Sequence, residues 1–408
     1  MVLRKVLQIG TYPIHQRLSG GQRRVGAIRD GYERAGVTVC SISVCDQAAY
    51  PSAAQVPGNF FAGPEIVQEI RRSPYLMDLI CGANFALDRS VCAPLVRLWN
   101  QFQPDIIELE QCYAWPGVKH LLDKKMVPAR PILYSSQNYE TEMKKRMYNL
   151  VMQGSDLTQA VDLVYQTEKD LVAAADLTIA VSEDDANAFR TLGATNLVVV
   201  HNGSDHLPVD PHWCRKWRNY FDSIGVRSYL FFVSSNHLPN YIGFEHLAGT
   251  TFAYLPPDSR IVVAGSVCEH LIQQPAFRDA ESLGRSRLLP LGSIADDGEL
   301  SGLIQEANAI LLPIIDGGGS NIKTVEALLS GRPIIASPFA FRSFETFAHL
   351  NRVTVCAEPR DFQRAIQDHA LRSYQPTLPL EPGIELYTWP HLGSTFARTV
   401  IDQFQSGF

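Results

Sequence analysis

The chain has 408 residues, and its 36 Lys and Arg against 42 Asp and Glu give a formal charge of −6, so no general attraction to a nucleic-acid backbone is expected. That length exceeds what one hydrophobic core ordinarily supports and predicts two domains, while 46% hydrophobic and 19% charged residues exclude a disordered or fibrous chain. Apolar runs are strand-sized, short of the roughly 20 residues of a membrane helix, and eight scattered cysteines without a C-x-x-C pair or histidines at metal spacing exclude a disulfide framework and a zinc site.

In chain order, short apolar runs at 5–9, 37–44, 106–108, 132–134, 177–181 and 197–200 alternate with longer helix-like segments, which predicts a first parallel sheet. The turn-rich stretch 201–208, His-Asn-Gly-Ser-Asp-His-Leu-Pro, has the composition of a linker. A second series runs through 229–233, 260–264, 288–291, 309–313, 333–336 and 353–356. The expected fold class is therefore α/β, with two doubly wound Rossmann-like domains. Residues 45–104 read as a helical insertion. Basic residues cluster at Arg17, Arg23, Arg24 and Arg29 and at Lys144, Lys145 and Arg146. Solvated helix faces are the expected explanation, with an anionic head group or acceptor as the alternative. Met1 leads into a strand without a secretory apolar region, so a cytoplasmic location is expected, with peripheral contact at the inner face of a membrane as a variant.

Residues 311–337 carry the most chemistry. They read as an apolar strand, three consecutive glycines, an amphipathic helix and a second apolar strand. Asp316-Gly317-Gly318-Gly319 ends the strand, and Ser320 is placed to accept a hydrogen bond from the first helical turn, leaving free amides around Asn321 and Ile322 to attract an anion. Ile322, Val325 and Leu329 recur at core spacing, Lys323 and Glu326 share a neighbouring face, and Gly331 and Pro333 close the helix. A cation and a carboxylate beside a phosphate-sized nest suit a nucleotide, because the carboxylate can accept both protons of a ribose diol. The glycines alone also fit a turn that binds nothing, and Glu326 alone fits a solvated helix face.

The run Gly-Gly-Gly-Ser-Asn-Ile-Lys-Thr-Val-Glu-Ala-Leu-Leu-Ser-Gly-Arg-Pro-Ile-Ile resembles the donor-site signature of GT-B glycosyltransferases, particularly the retaining enzymes of family 4. The resemblance implies two domains facing a cleft, residues 1–205 for the acceptor and 206–385 for the nucleotide-sugar donor, with 386–408 crossing back onto the first. It makes Asn202 to Pro208 a hinge and gives residues 45–104 a bearing on the acceptor. By the same resemblance Gly20 and Gly21, in the loop after the first strand, approach the donor phosphates, with Arg24 on the acceptor side. The loops of Gly265 and of Gly292 and Ser293 would frame base and ribose. Tyr134-Ser-Ser-Gln-Asn-Tyr-Glu resembles a family segment that often reads His-Asn-x-Glu, so Asn138 and Glu140 match it while Gln137 stands at the histidine position. A glutamine carries no proton at neutral pH but can hydrogen-bond a sugar hydroxyl, which speaks against a histidine-driven inverting mechanism.

Two departures bear on the site. The Arg and Lys that many family members place after the first strand of the second domain are replaced here by Ser235 and Asn240, and the first of the family's paired glutamates is Gly318, with Glu326 at the second. Lys323 and the amides of 318–322 are expected to take over the diphosphate contact. The reaction implied by the resemblance is a transfer of sugar from a nucleoside diphosphate donor to a hydroxyl of a glycan, lipid-linked or small-molecule acceptor. Retention, no metal and no cofactor beyond the nucleotide-sugar co-substrate are expected, since the amides and Lys323 can neutralise the leaving diphosphate. A place in polysaccharide biosynthesis goes with that reading. Alternatives are a noncatalytic GT-B subunit, a sugar-nucleotide 2-epimerase and, less in keeping with Lys323 and Glu326, a periplasmic-type binding protein.

Overall fold

The structure, a computed structural model, describes residues 2–17, 19–149, 152–374 and 377–405. Met1 and, of the expected C-terminal return, residues 406–408 lie outside them. Strands β1 (Lys5–Gly10), β2 (Thr38–Cys45), β3 (Asn59–Phe61), β4 (Ile106–Leu109), β5 (Ile132–Ser135), β6 (Leu177–Ala180) and β7 (Leu197–Val199) form one sheet in the order β3-β2-β1-β4-β5-β6-β7. A second sheet is built from β8 (Ser228–Val233), β9 (Ser259–Ala264), β10 (Leu288–Gly292), β11 (Ala309–Leu312), β12 (Ile334–Ala336) and β13 (Val353–Val355), ordered β10-β9-β8-β11-β12-β13. Pairing is parallel in both, as between Val6 and Ile106 or Leu230 and Ile261. The central strands are apolar throughout because helices cover both faces: Ile106 to Leu109 and Ala309 to Leu312 are buried along their whole length.

The chain divides into two compact units. The first comprises Met1–Gly203, Gly318–Ser320 and Trp389–Phe408, and the second Ser204–Gly317 and Asn321–Thr388. Ser204 donates its amide to the Tyr387 carbonyl at 3.0 Å, so the two points where the backbone leaves the second unit lie side by side. Within the first unit, helix Trp389–Gln405 packs on helix Gly20–Arg34, with Phe396 edge-on to Tyr32 at 6.0 Å between centroids. Gly31 and Gly393 make this crossing possible: a Cβ on Gly31 would overlap the Gly393 carbonyl, and one on Gly393 would overlap the Ala27 carbonyl.

Residues 45–104 are not purely helical. Helices Pro64–Arg72, Met77–Asn84 and Arg89–Phe102 occupy most of the segment, but Asn59–Phe61 adds an edge strand to β2. No single described helix is long and apolar enough to cross a membrane; the bent pair Pro74–Asn84 and Arg89–Phe102 meets the length and composition together, at 54°. All eight cysteines are free thiols, and all but Cys40 are buried.

Candidate active site

In a doubly wound sheet, ligands gather beyond the strand ends where the strand order reverses. In the second sheet that point lies between β8 and β11. The loop after β8 leads into helix Leu238–Ala248, and the one after β11 leads into helix Ile322–Leu329. Lys323, in the first turn of the latter, donates from Nζ to Asn240 Oδ1 at 2.6 Å. Asn240 in turn donates from Nδ2 to the carbonyl and the hydroxyl of Ser235, at 3.0 and 3.3 Å. Both switch-point loops are thereby joined through one ammonium group. Burial pulls the Lys323 ammonium down to about 8, with the carboxylate of Glu326 opposing the shift. This is the response of a cation held where too little negative charge surrounds it.

The helix start is fixed from below. Asn321 Nδ2 reaches the carbonyls of Phe339 and Ala340 at 3.3 and 3.2 Å, and Thr324 Oγ1 donates to the Ala340 carbonyl at 2.5 Å. Asp316 Oδ1 accepts from the Gly317 amide at 2.7 Å, while Arg342 Nη1 donates to the Gly317 carbonyl at 2.5 Å. Val325 and Leu329 are buried as their spacing predicts, with Ile322 half-buried. Ser320 does not cap this helix. The helix begins at Ile322, its N-cap position is Asn321 without a side-chain cap bond, and Ser320 stands one residue too early. Its hydroxyl instead accepts from the Asn202 amide at 3.2 Å, in keeping with the grouping of Gly318–Ser320 with the first unit.

Gly265 and Gly292 meet in the same unit, the Gly265 amide donating to the Gly292 carbonyl at 2.7 Å. Gly265 has φ +91° and leaves no room for a Cβ beside the Ser234 carbonyl, so backbone approach alone accounts for a glycine there. Gly292, at φ +73°, faces open space, and Ser293 beside it is exposed.

In the first unit the strand order reverses between β1 and β4. Gly20 and Gly21 are not loop residues but the first two of helix Gly20–Arg34, whose start is closed by a reciprocal pair: Ser19 Oγ accepts from the Gln22 amide and Gln22 Oε1 from the Ser19 amide. A Cβ on Gly21 would strike Tyr12 Oη and, at 2.6 Å, Gln137 Oε1. Those two side chains are themselves hydrogen-bonded, Gln137 Nε2 donating to Tyr12 Oη. Asn138 Nδ2 reaches Glu140 Oε1 at 3.4 Å. Glu140 is buried, accepts a hydrogen bond from Tyr113 Oη and has its proton affinity raised by burial, with Lys144 opposing.

Arg24 and Lys144 are not on solvated faces. Arg24 is 2% exposed and spends Nη1 on the carbonyls of Val200 and His201 and on Asn202 Oδ1, at 3.1–3.3 Å, so it secures residues 200–202 rather than facing an acceptor. Lys144 lies 5.1 Å from the Tyr113 ring centre and 3.9 Å from Asp78, and Asp78 accepts from Thr11 Oγ1 at 3.0 Å. Asp78 is thus where the 45–104 segment meets the switch-point loops. Arg17 is engaged with Asp30 through both terminal nitrogens, at 2.6 and 2.7 Å.

No family model matches the chain, and no curated protein does. Solved structures do. HepE of Anabaena in complex with UDP is similar over 99% of this chain and 98% of its own, at 17% identity and a TM-score of 0.58. Sucrose-phosphate synthase of Thermosynechococcus elongatus is similar over 99% and 97%, at 15% identity and a TM-score of 0.63. The α,α-trehalose 6-phosphate synthase of Burkholderia multivorans follows over 100% and 99%, at 12% identity and 0.57.

The chain has the GT-B fold. Within that fold the structure brings Lys323, Glu326, Asn321, Ile322 and Gly317 together with Ser235 and Asn240 at the switch point of the second sheet, and gathers Gly20, Gly21, Gln137 and Asn138 at the corresponding point of the first. Three participants escaped sequence reasoning. Tyr12 is 125 residues from the glutamine it holds. Arg342 meets Gly317 from a 3₁₀ turn with no motif of its own. His237 lies within the segment that departs from the family pattern, and a titratable ring there was the available signal.

Proposed function

We propose that the protein is a glycosyltransferase that binds a nucleoside diphosphate sugar on its second unit and an acceptor hydroxyl on its first. The observation that carries this reading is the hydrogen-bonded series Lys323, Asn240, Ser235 at the switch point of the second sheet. An ammonium whose proton is loosened by burial gains most when a diphosphate arrives, and it gains again as the glycosidic bond lengthens and charge builds on the leaving oxygen. Helix amides beside Lys323 act in the same direction without a metal. Glu326, one turn on, suits the ribose diol as a two-proton acceptor. The neighbours in complex with UDP and UDP-glucose are consistent with such a donor.

On the first unit Gln137, held by Tyr12, can orient an acceptor hydroxyl but cannot remove its proton. Retention by front-face attack, with the departing phosphate taking that proton, fits a site with an amide at this position. A glycan or lipid-linked acceptor and a hexosyl donor belong to the same proposal. Buried free thiols in a chain without disulfides support a reducing, cytoplasmic setting.

Calorimetric titration with UDP, GDP, ADP and TDP tests the reading. One nucleotide is expected to saturate the protein, and Glu326→Ala to weaken it about tenfold through the lost ribose contacts. Saturation by none of the four would refute a nucleotide-sugar transferase. Donor turnover without any acceptor would instead favour an epimerase.

A further inference from the structure

His237 sits at the N-cap position of helix Leu238–Ala248, where its side chain makes no cap bond to the helix. Its carbonyl accepts the Asn240 amide at 2.9 Å, and its own amide donates to the Ser235 carbonyl at 2.8 Å, so the ring is carried by the same tight turn that presents Asn240 to Lys323. Lys323 and Asp316 are the charged groups that act on it, from the helix after β11 and from the loop before that helix. The turn occupies the place where a fixed positive charge would be expected in a diphosphate site, and Ser235 and Asn240 supply none.

Resting on the assignment of a donor site to the second unit, we propose that His237 is a second diphosphate-binding group, neutral in the free protein and protonated when the nucleotide is bound. In the free protein, partial desolvation and the nearby Lys323 ammonium hold the imidazole below its usual range, against Asp316. A diphosphate placed at Lys323 reverses the sign of the local field and favours the imidazolium. Binding therefore takes one proton from solvent onto a ring nitrogen, no bond of the nucleotide being broken, and affinity for the donor strengthens as pH falls toward 6. Lys323 is already mostly charged at pH 7, since its own value is about 8, so it contributes little to that uptake. The arrangement replaces a permanent arginine with a cation that exists only in the occupied site.

The test is calorimetry at pH 7.0 in buffers of different ionisation enthalpy, using UDP, GDP, ADP, TDP and inorganic pyrophosphate as probes, on the wild type, His237→Gln and His237→Lys. The wild type is expected to take up about half a proton more than His237→Gln per bound diphosphate, a difference that subtracts the nucleotide's own titration. His237→Gln is expected to bind about fivefold more weakly at pH 6.5 and nearly as well as the wild type at pH 8.5. His237→Lys is expected to keep the affinity and lose the uptake, which a merely structural histidine would not produce. Nucleotide binding with equal proton uptake in the wild type and His237→Gln would overturn this inference while leaving the donor site intact. Failure of every probe, pyrophosphate included, would overturn both.

Discussion

Lys323→Met is expected to lower nucleotide affinity at least about tenfold and sugar transfer about 100-fold or more, the range for losing one preorganised group aimed at developing charge. Stability is expected to stay level or rise by about 1 kcal/mol at pH 7, because methionine fills similar space without a buried charge. The sign comes from proton binding. The folded protein holds the Lys323 proton less tightly than the unfolded chain, with a value lowered from 10.5 to about 8, so this group costs stability below pH 8 and the cost fades as pH rises from 8 to 10.5. Diphosphate affinity runs the other way, full below about 8 and lost above it as the ammonium deprotonates. Titrations from pH 6.5 to 9.5 alongside urea denaturation check both trends. Wild-type affinity in Lys323→Met would remove this residue from the donor site, and a large loss of stability would recast it as a structural group.

Gly31→Leu is expected to cost about 4 kcal/mol or more, a larger stability effect than any of the site substitutions. The side chain would have to enter the contact where the Gly393 backbone touches helix Gly20–Arg34, and neither helix can retreat without losing the buried Tyr32 and Phe396 pair. Gly26→Ala on the same helix is expected to cost under about 1 kcal/mol, since the added methyl meets only the guanidinium end of Arg17, which can swing aside. Urea unfolding followed by tryptophan emission separates the two. Nucleotide titration of Gly31→Leu at low temperature is expected to stay near wild type, because Lys323, Glu326 and Asn240 all belong to the second unit.

Much of the architecture was legible in residues because parallel strands buried on both faces are written as uninterrupted apolar runs. Tyr229-Leu-Phe-Phe-Val can hardly be anything else between helix-like flanks. Asn59-Phe-Phe was not legible, being three half-buried residues at a sheet edge, too short for a period to show. Lys323 and Glu326 were legible as a pair because helical spacing puts them on one face. A boundary error of one residue was enough to misassign Ser320, whose capping role vanishes once the helix starts at Ile322. Arg24 was misjudged for another reason: its partners at 200–202 are about 176 residues away, and only the folded chain shows that an arginine beside two glycines turns inward. His237 stood in plain view, but one histidine in a turn means little until a lysine is found opposite it.

The return of Trp389–Phe408 to the first unit sets an order of events during synthesis on the ribosome. The first sheet is translated early, yet the helix that covers its Gly20–Arg34 face is made about 200 residues later, ~10–40 s at ordinary elongation rates. The second unit lies almost entirely between those times and can close first. The nascent chain therefore exposes the Tyr32 and Ile28 surface until residues 389–405 emerge, and this is the interval in which a chaperone would find its binding site.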